Sequence, residues 1–220
     1  MKRKSNSKIT TIVVLLIGVI ALSIGFSAFT RDLDIIFDTT TVDPGDLPLN
    51  VKFTAGQADD GTTTVTPTVS GATGNTATID NDSATNPLIR NLGANFTNKG
   101  QSVTYTFYVY NDSEYIAYLK KATFSNYTGK STNKVCTPGT NTTASLVTAA
   151  CNDISLSVQV AGNTLTETKT GGFTTPSIEP TTFSKVIVTI AYNNSTNPIP
   201  DGDFSVNFGN VVLSYSSLAG

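Results

Sequence analysis

The 220-residue chain has no histidine and no tryptophan, one methionine and two cysteines. Without histidine, the Ser-His-Asp and Cys-His catalytic arrangements and the HExxH zinc site are excluded together. Two cysteines alone are too few to close a structural zinc site. No GxxxxGK[ST] loop is present to cradle a phosphate. Charge is also scarce, at 14% Asp, Glu, Lys and Arg. Lys2, Arg3, Lys4 and Lys8 crowd the first eight positions. From Ala28 onward 10 Lys and Arg therefore face 16 Asp and Glu, a formal charge of −6. A surface of that sign has no counterion-release drive towards nucleic acid, and no nucleic-acid partner is expected. What the chain has in abundance is threonine, 37 residues, or 57 together with serine. Threonine is β-branched and suits the solvent face of a sheet, which favours strands over helices.

Met1–Lys8 is a basic leader, and Ile9–Phe29 follows as 21 residues without a charge. A helix of that length rises about 31 Å, enough to cross a hydrocarbon core. The basic flank stays cytoplasmic, which places everything after Arg31 outside. Two outcomes are open. The apolar run exceeds an ordinary ~7–15-residue signal core, which favours a membrane anchor. Gly25-Phe26-Ser27 also puts small residues at −3 and −1 of a cut between Ser27 and Ala28, which favours a cleaved signal peptide. Residues 1–29 are therefore a signal peptide or anchor, and 30–220 an exported domain.

Period-2 alternation organises the exported part. Leu33, Ile35 and Phe37 alternate with Asp34 and Asp38, and Asp43–Asp46 is a turn signal before a short strand at Leu47–Phe53. Residues 54–86 hold few large apolar side chains and are expected as an exposed loop, with an edge strand at Thr62–Val69 limited by Pro67. In Ser102–Tyr110, Val103, Tyr105, Phe107 and Val109 share a face; Asn111-Asp112-Ser113 then turns the chain into Tyr115–Phe124. Ile154, Leu156, Val158 and Val160 alternate before a hairpin signal at Gly162-Asn163. Val186–Tyr192 and Phe204–Tyr215, the latter split at Gly209-Asn210, close the chain. With no helical period after residue 30, the expectation is all-β: an antiparallel β-sandwich preceded by an N-terminal hydrophobic helix.

Cys136 and Cys151 lie 15 apart in a polar segment, residues 130–151, expected as a second exposed loop. Outside the cell they are expected to pair as a disulfide. The carboxylate pairs Asp59/Asp60, Asp80/Asp82 and Asp201/Asp203 sit beside Gly, Asn or Pro, where Asp is ordinary turn chemistry. Calcium at Asp59, Asp60, Asp201 and Asp203 is the alternative, without EF-hand spacing to support it. No cofactor or resident metal is expected. Seven N-x-[ST] sequons are close to the number chance supplies in so Asn- and Thr-rich a chain. Tyr105 falls on the core face of its strand, whereas Tyr108 and Tyr110 fall on the other and are the better ligand candidates.

The signal ends in GFSAF, residues 25–29, and runs into Leu33-Asp34-Ile35. GQSVTYTFYVYND, residues 100–112, then presents a strand opened by Gly100 and ended by Asn111. This small-Ala-Phe signal end followed by a GxSVTYTFxVxN strand resembles the TasA/camelysin family of exported surface and biofilm-matrix proteins, over about 80 residues. The resemblance implies a jelly-roll sandwich released by a dedicated signal peptidase cutting just before Ala28. It further implies polymerisation with other copies by donor-strand exchange, with Arg31–Val42 as donor and Leu33, Ile35 and Phe37 as plugs. Camelysin-type members have been called metalloproteases; a chain without histidine gives no ground to transfer that role.

Two functions are thus expected, neither enzymatic. One is a cell-surface structural protein forming extracellular fibres or matrix by β-strand donation. The other is a membrane-anchored β-sandwich adhesin, held through residues 9–29 and displaying its loops to a ligand. Among enzymes, only a carboxylate-based hydrolase is chemically available.

Overall fold

The computed structural model describes residues 30–36, 49–82, 86–124, 134–165 and 177–217. In chain order the first strands are β1 (Thr30–Ile36), β2 (Val51–Thr54), β3 (Thr64–Val65), β4 (Thr68–Ser70), β5 (Thr73–Gly74) and β6 (Ala77–Asp80). They are followed by β7 (Leu88–Arg90), β8 (Ala94–Asn95), β9 (Ser102–Asn111), β10 (Ala117–Phe124) and β11 (Val135–Pro138). A helix, α1 (Ala144–Asp153), leads directly into β12 (Ile154–Val160). The remaining strands are β13 (Asn163–Thr164), β14 (Ser177–Ile178), β15 (Phe183–Tyr192), β16 (Phe204–Asn207) and β17 (Asn210–Ser216).

The fold is all-β and sandwich-like. One sheet runs β14-β10-β17-β1-β7-β6-β3; the other runs β13-β12-β15-β9-β2, with β4 sharing the outer edge of β9. Alternation places the core where the sequence predicts. Val103, Tyr105, Phe107 and Val109 of β9 are fully buried and pack with Val186 and Val188 of β15. Across the sandwich they belong to one cluster with Leu119 of β10 and with Val211, Leu213 and Tyr215 of β17. Each such side chain contributes about 1.5–3 kcal/mol. Phe53 meets Phe107 edge-on at 5.5 Å. Burial drives the phenol of Tyr215 well above its usual pKa.

Polar side chains close the gaps that the ladders leave. Asn81 acts as a one-residue strand: it accepts from Phe53 N at 3.0 Å and donates to Phe53 O at 2.7 Å, covering the free edge of β2. The hydroxyl of the fully buried Tyr105 accepts from Gly93 N at 3.0 Å and lies 2.8 Å from Asn75 O and 2.7 Å from Gly93 O, so it has acceptors for its proton. Asn111, also fully buried, sits where β9 leaves one sheet for β10 in the other. Its amide donates to Tyr115 O (2.7 Å) and Ile178 O (2.8 Å), and its oxygen accepts from Ser113 N and Ser113 Oγ. Its backbone pairs with Thr181 and Thr182, so both nearby crossings between the sheets meet at one side chain.

Two expectations need correction. Residues 54–86 are not simply a loop: they supply β3 to β6, and Val65, Ala77 and Ile79 enter the core. Pro67 separates β3, at a sheet edge, from β4, as a residue without an N–H should. Residues 130–151 carry β11 and most of α1, although no helical period was expected there. A ten-residue helix is marginal alone; this one is held from outside. Asp201 accepts from Thr143 N at 2.9 Å and Thr143 Oγ at 2.6 Å at its N-terminus, and Cys151 near its other end is joined to Cys136 of β11. The predicted disulfide is present, with Cα atoms 6.1 Å apart. β11 pairs with β16 in a separate two-stranded ribbon. The predicted hairpin after β12 is also present, one residue early: Ala161 and Gly162 form its turn, at φ +50° and +80°.

Candidate functional site

β1 is the first described strand after the apolar segment, and its position sets what it can do. It pairs antiparallel with β17 along its full length, Thr30 opposite Ser216 through Ile36 opposite Asn210. On its other side it pairs in parallel with β7, Asp34 opposite Leu88 and Ile35 opposite Ile89. Leu33 stands opposite Leu213 and Ile35 opposite Val211, both members of the core. β1 therefore occupies an interior slot. Without it the sheet would divide into β14-β10-β17 and β7-β6-β3, each with a newly unpaired edge. Phe37, the expected cleavage pair Ser27 and Ala28, and the apolar segment 9–29 lie outside the described residues. Among the described residues no helix is long and apolar enough to cross a membrane.

The carboxylate pairs are not brought together as ligands. Asp59 bonds Lys52 Nζ at 2.7 Å, and Lys52 also reaches Asp112 at 3.1 Å. Asp60 accepts from Thr62 N at 2.9 Å, which holds its carboxyl below the usual range. Asp80 faces Arg90 at 3.7 Å. Asp201 caps α1 as described, and the Thr143 hydroxyl, then its N–H, likewise keep its carboxyl low. Asp203 contributes its backbone: its carbonyl accepts from Gly139 N and Thr142 Oγ, both at 2.8 Å. Among the described residues no group of three His, Cys, Asp or Glu is placed to hold a metal ion.

Tyr105 is core, whereas Tyr108 and Tyr110 are half-exposed on the outward face. Tyr110 stacks on Phe183 at 4.5 Å, with Lys52 Nζ 5.4 Å from its ring centre. Two sequons are occupied structurally: the amide nitrogens of Asn81 and Asn111 are already committed to backbone carbonyls.

A cluster the sequence did not announce ties the ribbon end of the molecule to β9. Lys99 and Asp153, 11% and 7% exposed, lie 3.0 Å apart. Asp153 also accepts from Ser195 Oγ at 2.5 Å and Asn197 Nδ2 at 2.8 Å. Lys99 donates to Ser195 Oγ (2.7 Å) and Asn197 O (2.6 Å). Burial pushes the Asp153 carboxyl up, but the bonds from Ser195, Lys99 and Asn197 outweigh it and leave the group below its usual value. Nearby, Lys134 donates to Ile154 O, and burial lowers its pKa against the pull of Asp153. With every donor and acceptor matched, this is a clamp between segments 54 residues apart.

No protein-family model, no curated protein and no solved structure matches this chain.

Proposed function

We propose that the protein is a non-enzymatic, exported structural protein of the cell surface, a subunit of an extracellular fibre or matrix assembled by β-strand donation. The reading takes up the resemblance to TasA/camelysin proteins, with their jelly-roll sandwich and cleavage before Ala28. The observation that carries it is the slot of β1. The first described strand is flanked on both sides by strands of its own sheet. A strand so placed can leave its slot and enter the same slot of a second copy, with every ladder bond remade at the same register. Main-chain bonds supply the affinity, and the register opposite β17 and β7 fixes where the strand sits. The absence of histidine and the tied-up carboxylates favour a non-catalytic role.

A second reading, a membrane-anchored adhesin, is favoured by the 21 uncharged residues at 9–29. The N-terminal sequence and mass of the protein from its native surface separate the two. A start at Ala28 in sheared, high-mass material supports the fibre. Retention of 9–29 in membranes supports the anchor.

The slot itself is tested by deleting residues 31–42 and supplying a peptide of residues 28–42 in trans. The deleted chain should fail to polymerise and should bind the peptide one to one. Fibres from the deleted chain, or no binding of the peptide by a folded one, would sink strand donation.

A further inference from the structure

A cavity of about 720 Å³ opens where the end of β15 and the start of β12 meet β8 and the β16 strand of the ribbon. That volume lies within the ~300–1,000 Å³ typical of small-molecule sites. Phe96, Tyr192, Phe204 and Phe208 bring rings to its wall, the first two with centroids 6.2 Å apart and planes inclined at 58°. Asn75 and Asn95 bring amides, each with both a donor and an acceptor, whereas the Asn207 oxygen already accepts from Gly209 N at 2.7 Å. Asp203 is the one charged residue of the lining, and no lysine or arginine joins it.

Tyr192 is 5% exposed, and its hydroxyl has no hydrogen-bond partner among the described residues. Such an orphan is rare in a folded protein and calls for an explanation. The ring is rigidly mounted: Tyr192 N donates to Gln101 O at 2.9 Å, its carbonyl accepts from Gly100 N at 2.6 Å, and Lys99 Nζ lies 5.9 Å from the ring centre.

We propose that this cavity binds a neutral saccharide, its rings lying against the C–H face of a pyranose and its amides pairing with the hydroxyls. The lining discriminates between ligand classes. An anion would find no cation here and would meet Asp203. An aliphatic chain or a quaternary ammonium group would offer the Asn75 and Asn95 amides neither donor nor acceptor, which desolvation penalises. A hydroxyl donates and accepts at one atom, as the amides do, so a ligand with one apolar face and many hydroxyls satisfies both halves of the wall. The site includes no residue of β1 and does not depend on strand donation.

The test uses the whole exported chain with its disulfide intact, on an array of neutral gluco-, galacto-, manno- and N-acetylhexosamine oligomers beside sialylated ones. The expected result is binding to one neutral series and none to the acidic glycans. Titration of that oligomer should shift backbone amide resonances at residues 93–96, 192 and 204–208. Phe204→Ala and, as a milder surface change, Asn95→Asp should each weaken binding about tenfold or more, with the remaining resonances unmoved. No binding to any neutral series would overturn the proposal. So would equal binding to acidic glycans, shifts centred on Tyr108 and Tyr110 instead, or full binding by a folded Asn95→Asp and Phe204→Ala pair.

Discussion

Replacing Asn111 by alanine should be among the most damaging single changes outside the apolar core. The side chain makes four hydrogen bonds, two as donor to Tyr115 O and Ile178 O and two as acceptor from Ser113. At a net ~0.5–1.5 kcal/mol each, their loss sums to about 4 kcal/mol. Stranding the Ile178 carbonyl in a buried site adds to this, while the Ser113 hydroxyl, 3.2 Å from Tyr115 O, still donates there and recovers part. For a domain of this size, about 2–4 °C of melting temperature is lost per kcal/mol. The expected drop is therefore about 8–16 °C. Urea titration of residues 30–220, followed by circular dichroism, gives the free energy directly, with an unchanged slope expected. Asn111→Asp sharpens the test. It keeps the acceptor but sets a carboxylate against two carbonyls, so it should be at least as damaging at neutral pH and recover partly in acid as it protonates. A loss below about 1 kcal/mol for Asn111→Ala would refute the reasoning. The backbone bonds to Thr181 and Thr182 would then suffice to hold the crossing.

Other consequences are open to the same measurements. Replacing Cys136 and Cys151 by serine should cost about 3 kcal/mol in the chain-entropy model for a 15-residue loop; amide exchange should rise in β11 and α1 while β9 and β15 stay protected. Ala161 holds a left-handed conformation disfavoured by about 1–2 kcal/mol for a residue with a Cβ, so Ala161→Gly or Ala161→Asn should raise the urea midpoint. The Asp153 carboxyl is depressed in the fold. Its contribution should be complete above the unfolded value of 3.8 and lost as the pH falls through the lower folded value. Asp153→Asn should flatten that part of the pH–stability curve, and an unchanged acid limb would show that the clamp is not its source. In a glycosylating host, peptide mapping should find Asn81 and Asn111 unmodified in folded protein, since both amide nitrogens are engaged.

The long strands were legible because their code is local. β9 sets Val103, Tyr105, Phe107 and Val109 at every second position, and β15 does so with Val186, Val188 and Ile190, a period a half-buried strand explains. The disulfide was legible from the compartment that the N-terminal segment implies. What escaped depends on residues far apart in the chain. α1 has no acidic residue in its first turn and no cap from Thr143's own side chain; its cap is Asp201, 58 residues on. The two-residue strands β3 and β5 are too short to show a period, and are strands only because β6 and β8 lie beside them. The Lys99–Asp153 clamp draws on three separate segments and the ring-lined cavity on five, so no spacing rule reveals them. The sequence reads Asp201 and Asp203 as turn residues with calcium as the alternative; in the fold their oxygens hold Thr143, Gly139 and Thr142 of a distant segment, which no local spacing shows.

The pairing of Thr30 with Ser216 has a mechanical meaning. It brings the entry of the first strand and the exit of the last to one end of the sheet. Tension applied to the two ends of a single copy would part β1 from β17 there first and load the ladder one rung at a time, as a zip opens. A β1 seated in a neighbour's slot and drawn lengthwise from its Ile36 end would load every rung on both sides together. The same set of bonds would then yield readily within one molecule and resist strongly between two. Under load, survival is governed by a rate of rupture rather than by an equilibrium.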